Sequence, residues 1–140
     1  MNWFWAAFLG AVFAALTSIL AKIGIKNVDS NLATAVRTTV VLIFTWAIVF
    51  FQGTFSSLST VSKHSYIFLI LSGIATGLSW LFYFRALQIG DASKVVPIDK
   101  LSLVLAIAFA GFFLNEKITF QTIIGGALMT IGAIMIALVK

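Results

Sequence analysis

Five apolar stretches of about 20 residues each take up nearly all of this 140-residue chain. They run from Trp3 to Ala21, Leu32 to Phe51, Tyr66 to Leu87, Val95 to Leu114 and Phe120 to Val139. About 20 mostly apolar residues let an α-helix cross the hydrocarbon core of a bilayer, and a helix satisfies its own backbone hydrogen bonds where no water can. A helix on a soluble domain keeps a polar face opposite its apolar stripe; Val40 to Phe51 and Leu101 to Leu114 are apolar on nearly every side. With 61% hydrophobic and 9% charged residues and a mean hydropathy of +1.13, too little polar surface is left to enclose such segments in water. The expected fold is an all-α membrane protein: a five-transmembrane-helix bundle with helices near 3–21, 32–51, 66–87, 95–114 and 120–139, forming one domain over residues 1–140.

Several function classes drop out on composition. The net charge is +5, but the basic residues flank apolar spans and form no continuous patch, so a nucleic-acid partner is not expected. Cysteine is absent, which removes disulfides, thiol nucleophiles and cysteine-held metals. His64 has no His or Cys companion in its loop, so it reads as a solvated residue and no metal is expected. The four carboxylates, Asp29, Asp91, Asp99 and Glu116, show no spacing suited to paired acid/base work, and the glycines lie within apolar helices and not in a phosphate loop. Neither an enzyme nor an ATP-driven pump is expected, and no cofactor. The first segment is longer than the usual apolar region of a secretory signal and no Lys or Arg precedes it, so it reads as a retained helix.

The helix ends carry their own signals. Asp29, Ser30 and Asn31 suit the cap of the second helix and Ser65 that of the third. The link from Gly53 to Ser65, rich in Ser and Thr, is expected at the membrane surface. Pro97 either kinks the fourth helix or sits in its first turn, where a missing N–H costs little; the second option puts Asp99 near a helix start that favours an anion. Five spans place the termini on opposite sides of the membrane. Lys63 and Lys117 fall on the N-terminal side, while Lys22, Lys26, Arg85, Lys94 and Lys140 fall on the other, from which Arg37 and Lys100 enter their helices. Positive residues favour the cytoplasm, so the N-terminus is expected outside and the C-terminus inside.

Helix faces follow from a turn of about 100° per residue. On the first helix Ala6, Gly10, Ala14, Thr17 and Ala21 form a small-residue stripe, and on the second Thr34, Arg37, Thr38 and Thr45 share a polar edge. Arg37 reads either as a cation reaching back to the interface or as part of a cavity or partner contact. The third helix aligns Gly73, Gly77, Trp80 and Phe84, with Thr76 and Tyr83 alongside. Its two glycines have the spacing of a packing motif, and its aromatics suit either the interfacial belt or the wall of a cavity. The fourth aligns Asp99 and Ser102 with Ala106, Ala110 and Phe113; Asp99 beside Lys100 is either a neutralised helix start or a substrate or proton site. Gly125 and Gly132 mark a packing seam on the fifth helix.

Certain runs carry a family resemblance: a first helix ending in LAK (Leu20 to Lys22), LATAVR ending at Arg37, WLFYFRAL from Trp80 to Leu87, PIDKLS from Pro97 to Ser102, LNEKIT from Leu114 to Thr119, and a last glycine-containing helix ending in IALVK. In order and spacing, over nearly the whole chain, these resemble the EamA-type transporters of the drug/metabolite transporter superfamily, in particular their half-length five-helix bacterial and archaeal branch. Two positions depart from the pattern: Asn115 stands where the family's Gly-Glu-basic turn has glycine, and Ala14 where a Trp is often found.

The resemblance implies half of a ten-helix inverted-repeat transporter, since an odd number of spans turns a following half upside down. It implies export of small metabolites or drug-like solutes by alternating access without ATP, in a homodimer or with a related five-helix chain. The charge bias favours one orientation, which leaves open a dissimilar partner, a parallel homodimer, or a bias too weak to prevent dual insertion. On this reading Arg37, Trp80, Tyr83, Asp99 and Ser102 are the substrate-binding residues: Arg37 offsets an anionic group, the aromatics stack on the solute, and Asp99 takes a proton or meets a cation. Gly73, Gly77, Gly125 and Gly132 are the helix-packing and dimer positions. The alternative function is an accessory or structural membrane subunit that moves nothing itself. A channel has less support, because no acidic ring or carbonyl filter is visible.

Overall fold

The computed structural model describes residues 2–139. All regular structure among them is helical: α1 (Trp3–Gly24), α2 (Ser30–Phe51), a short 3-10 helix (Thr54–Thr60), α3 (Lys63–Ile89), α4 (Ala92–Asp99), α5 (Leu101–Phe113) and α6 (Phe120–Leu138). With α4 and α5 taken together as Ala92–Phe113, five helical segments are long and apolar enough to cross a bilayer. Their large apolar side chains face outward; Phe51 is 86% and Phe112 79% exposed, as fits helices whose solvent is lipid.

Local chemistry sets the ends. The Asp29 carboxylate accepts the backbone N–H groups of Asn31 at 2.9 Å and Leu32 at 3.0 Å, so Asp29 is the residue of its trio that caps α2. The third helix starts earlier than the sequence suggests. Ser62, and not Ser65, takes the capping role, its hydroxyl accepting the Ser65 N–H at 3.1 Å, because the turn before it folds into a 3-10 helix that delivers the chain at Lys63. That turn is held down by the Tyr66 hydroxyl donating to the Leu58 carbonyl at 3.0 Å and by Phe55 against Trp46, ring centroids 5.9 Å apart. Thr119 caps α6 by accepting the Thr122 N–H at 3.2 Å.

The fourth span begins at Ala92, so Pro97 is its sixth residue and Asp99 does not lie in a first turn. Proline has no N–H to give the Ser93 carbonyl, and its ring crowds the preceding turn. The helix breaks three residues later, at Lys100, where the chain tightens and the Leu103 N–H reaches the Lys100 carbonyl at 3.0 Å. At the far end of α5, Asn115 has φ +53°. Glycine is the usual residue in that left-handed conformation and Asn the next best tolerated, which accounts for Asn where the family's turn has Gly. Lys140, counted above with the second side, lies outside the described residues.

The chain divides into two compact units, Met1–Lys22 with Ile89–Lys140, and Ile23–Gln88. In the first, α6 packs on α4 and α5 through a face with Gly126 and Ala133 buried; a Cβ at Gly126 would meet the Val104 methyl groups at 3.9 Å. Within this unit Lys22 Nζ donates to the Gly90 carbonyl at 2.8 Å. In the second unit, α2 and α3 are tied at one end by Gln88 Nε2 donating to the Val28 carbonyl at 2.8 Å, while Arg85 donates to Gln88 Oε1 at 3.0 Å.

Candidate functional site

The polar edge expected on α2 resolves into two kinds of group. Its threonines bond to their own helix: Thr34 Oγ1 to the Ser30 carbonyl at 2.8 Å, Thr38 to Thr34 at 2.8 Å and Thr45 to Val41 at 2.9 Å. This return to the preceding turn is how a hydroxyl finds an acceptor where water is absent. On α1 and α3, Thr17 and Thr76 do the same, at 2.8 Å to Phe13 and Ser72. Arg37 has no such outlet. It lies seven residues inside α2 from Ser30, about 10 Å along the axis, and makes no hydrogen bond or ion pair among the described residues.

What Arg37 has is a ring. Its guanidinium carbon lies 3.4 Å from the centroid of Trp80 and 6.0 Å from that of Phe84. The rings support each other: Trp80 is 5.4 Å from Tyr83 in an edge-on arrangement and 5.8 Å from Phe84. Tyr83 and Phe84 are buried, and Arg37 and Trp80 half-buried. Because α3 runs on to Ile89, Trp80 lies nine residues from its end, too deep for an interfacial belt. A cation over an aromatic face is worth about 0.5 to 2 kcal/mol depending on desolvation, whereas an arginine at a helix centre costs about 2.5 to 3.5 kcal/mol on insertion scales. The stack therefore offsets only part of the cost. Among the described residues no buried side-chain nitrogen or oxygen lacks a partner, so the unbonded N–H groups of Arg37 remain accessible.

The other two candidate residues belong to the other unit. Asp99 ends α4 and its Oδ2 lies 3.3 Å from Lys100 Nζ at the helix break; Ser102 lies exposed two residues further on, in α5. The structure thus brings Arg37, Trp80 and Tyr83 together in one unit, and Asp99 next to Ser102 in the other. The four glycines singled out as packing positions, Gly73, Gly77, Gly125 and Gly132, have nothing within 4 Å of where a Cβ would stand. On α6 the seam used within the chain is one residue over, at Gly126 and Ala133. No three His, Cys, Asp or Glu side chains gather as a metal would require among the described residues.

Sequence reading missed two polar ties. Gln88 spans 60 residues to reach Val28, and Lys22, counted only as a topology signal, spans 68 to reach Gly90. The polar residue types at the ends of apolar spans were a visible signal, but their partners are backbone carbonyls, which no motif encodes. A cleft of about 390 Å³ next to the first of these ties is lined by Asp29, Ser30, Asn31, Leu78, Leu81, Phe82 and Arg85.

Comparison with known proteins agrees with this architecture. A protein of Sinorhizobium sp. described as "Uncharacterized transporter in cobO 3'region" is 44% identical over 136 residues, covering 97% of this chain and 96% of its own length. "Uncharacterized transporter YvbV" of Bacillus subtilis (strain 168) is 28% identical over 115 residues, 82% of this chain but only 38% of that longer protein. No solved structure gives a significant match. Residues 1–138 match the EamA-like transporter family; the chain belongs to that family and is a multi-pass membrane transporter.

Proposed function

We propose that this chain is one half of a secondary transporter: a single five-span domain that pairs with a second copy or a related five-span chain and exports small solutes by alternating access, without ATP. The observation that carries the reading is Arg37, a cation held deep in an apolar helix against Trp80 with its N–H groups unused. An ionisable group kept inside a membrane span is expensive and usually faces a bundle interior or a solute path.

Arg37, Trp80 and Tyr83 are the proposed substrate-binding residues of the Ile23–Gln88 unit, and Asp99 and Ser102, at the break in the fourth span, are those of the other unit. Discontinuous helices near mid-membrane are where many transporters hold substrate and coupling ion. Pairing is supported by the length relation to the Bacillus protein, of which this chain matches 38%, and by the odd span count, which inverts a second half. The open Gly125 and Gly132 face of α6 is the proposed seam, and Gly73 and Gly77 serve the same purpose on α3, since small residues let helices approach closely in lipid. The basic residues support insertion into the inner membrane with the N-terminus outside and the C-terminus in the cytoplasm.

Proteoliposomes loaded with a labelled panel of amino acids, nucleosides, sugars, organic anions and lipophilic cations test the reading. At least one member should cross, and Trp80→Ala and Asp99→Ala should each slow it by about tenfold or more, equivalent to about 1.4 kcal/mol, while the paired protein elutes unchanged. Full flux in both variants overturns the site. No flux of any panel member, together with a stoichiometric dissimilar chain that copurifies, points instead to the accessory-subunit alternative.

A further inference from the structure

We infer that the solute received at this site carries an oxyanion, a carboxylate or phosphate, which binds the open N–H edge of Arg37, and that Trp80 is the positioning residue that holds the guanidinium in place. The inference rests on the transporter reading above and adds the chemical class of the solute.

The first ground is charge. Neither α2 nor α3 contains an Asp or Glu. In the Ile23–Gln88 unit the one carboxylate is Asp29, already accepting two backbone N–H groups at the start of α2. Asp99 is paired with Lys100. Asp91 precedes α4 without a side-chain capping bond and Glu116 sits in the link after α5, both outside the spans. Arg37 therefore has no counter-ion on either helix that holds it. A cationic solute would add like charge to it, and a neutral one would leave its charge unbalanced.

The second ground is hydrogen bonding. The hydroxyls of Thr34, Thr38 and Thr45 along the same edge are spent on their own helix, so on that edge, among the described residues, the donors without acceptors are those of Arg37. A guanidinium presents its N–H groups in its own plane, as a fork that fits two oxygens of a carboxylate or phosphate. Stacking on Trp80 uses the flat face of the group and leaves that edge open. One face of Trp80 is taken by Arg37, so the tryptophan acts on the solute through the arginine. A lipid phosphate has the same chemistry as a solute phosphate. The solute is favoured because the guanidinium lies against a ring nine residues from the end of α3 and is not stretched toward the interface.

The test uses the full chain purified in a maltoside micelle, which contains no phosphate or carboxylate, with benzoate, phenyl phosphate, benzamide and benzylammonium as probes. Benzoate or phenyl phosphate should raise the unfolding midpoint in a saturable way, as a ligand of the folded state does; benzamide and benzylammonium should not. Arg37→Gln should abolish the shift. Arg37→Lys keeps the charge but not the fork and should raise the concentration for half-effect about tenfold, which preserves the test if the Gln variant fails to fold. Trp80→Phe should retain the response that Trp80→Ala loses, a rescue that general destabilisation would not give.

An anion shift that survives in a folded Arg37→Gln overturns the proposal, as does stabilisation by benzylammonium or no shift with either anion. Phosphatidylglycerol that stabilises the protein through Arg37, with no competition from benzoate or phenyl phosphate, assigns the acceptor to a lipid headgroup and overturns it too. Proteoliposomes separate this failure from that of the parent reading. Flux of neutral or cationic solutes alone removes the oxyanion but keeps the transporter, whereas anion stabilisation with no flux of any solute removes the transporter on which the inference stands.

Discussion

In the fourth span the ammonium of Lys100 lies 3.3 Å from the carboxylate of Asp99, its neighbour in sequence, whereas in the second span Arg37 lies 3.4 Å over the ring of Trp80 with no carboxylate on either helix that holds it. Both charges are well inside apolar segments. The first pair is neutral as a whole, sits at a helix break and stays partly exposed, its side chains 54% and 33% accessible for Lys and Asp. Such a pair contributes about 0 to 1 kcal/mol and requires nothing further. Arg37 is satisfied only in part, and it makes the stronger case for a bound partner.

The largest expected effect comes from making the second region resemble the first. Ala33→Glu places a carboxylate one turn before Arg37, in the favourable order for such a pair and near a helix start that favours an anion. A hydrogen bond to a charged group is worth about 1.5 to 3 kcal/mol, so benzoate or phenyl phosphate should lose affinity by about ten- to a hundredfold in thermal titration. An unchanged titration in this variant would break the contrast.

A smaller effect is expected from the reverse change. Asp99→Asn leaves Lys100 without its partner and should slow flux about tenfold, about 1.4 kcal/mol, without altering the anion titration at Arg37. If the two variants shift that titration equally, the two regions act as one site and are not independent.

The smallest is a control on stability alone. Asn115→Gly relieves a residue at φ +53° and should change the unfolding free energy by at most about 1 kcal/mol in the stabilising direction, the scale of strain for a non-glycine in that region. Anion response and flux should stay as in the parent chain.

Much of the fold is legible in the sequence because lipid imposes one rule on every span, namely length and apolarity without interruption. The five segments fall where the residues suggest, with ends differing by a few positions. Where they differ, the cause is local backbone chemistry: Ser62 displaces Ser65 as a cap because a 3-10 turn precedes it, and Pro97 moves the interruption to Lys100. Helix faces are harder to read. One residue is a rotation of about 100°, and the chain packs α6 through Gly126 and Ala133 and leaves Gly125 and Gly132 open. Of the candidate site, the residue types are visible in sequence, including a charge two turns into a span and an aromatic run seven residues before a helix end. That Arg37 and Trp80 stack depends on how two separate helices pair, which no periodicity within either helix records.

The threonines turned back on their own helices have a consequence for release. On the proposed reading, a path along α2 and α3 offers a travelling molecule few places to catch, because the hydroxyls of Thr34, Thr38, Thr45 and Thr76 are already engaged with the rods that carry them. Retention of the inferred oxyanion in the Ile23–Gln88 unit would then depend on a single grip, with the rate of departure set by how quickly one guanidinium lets go.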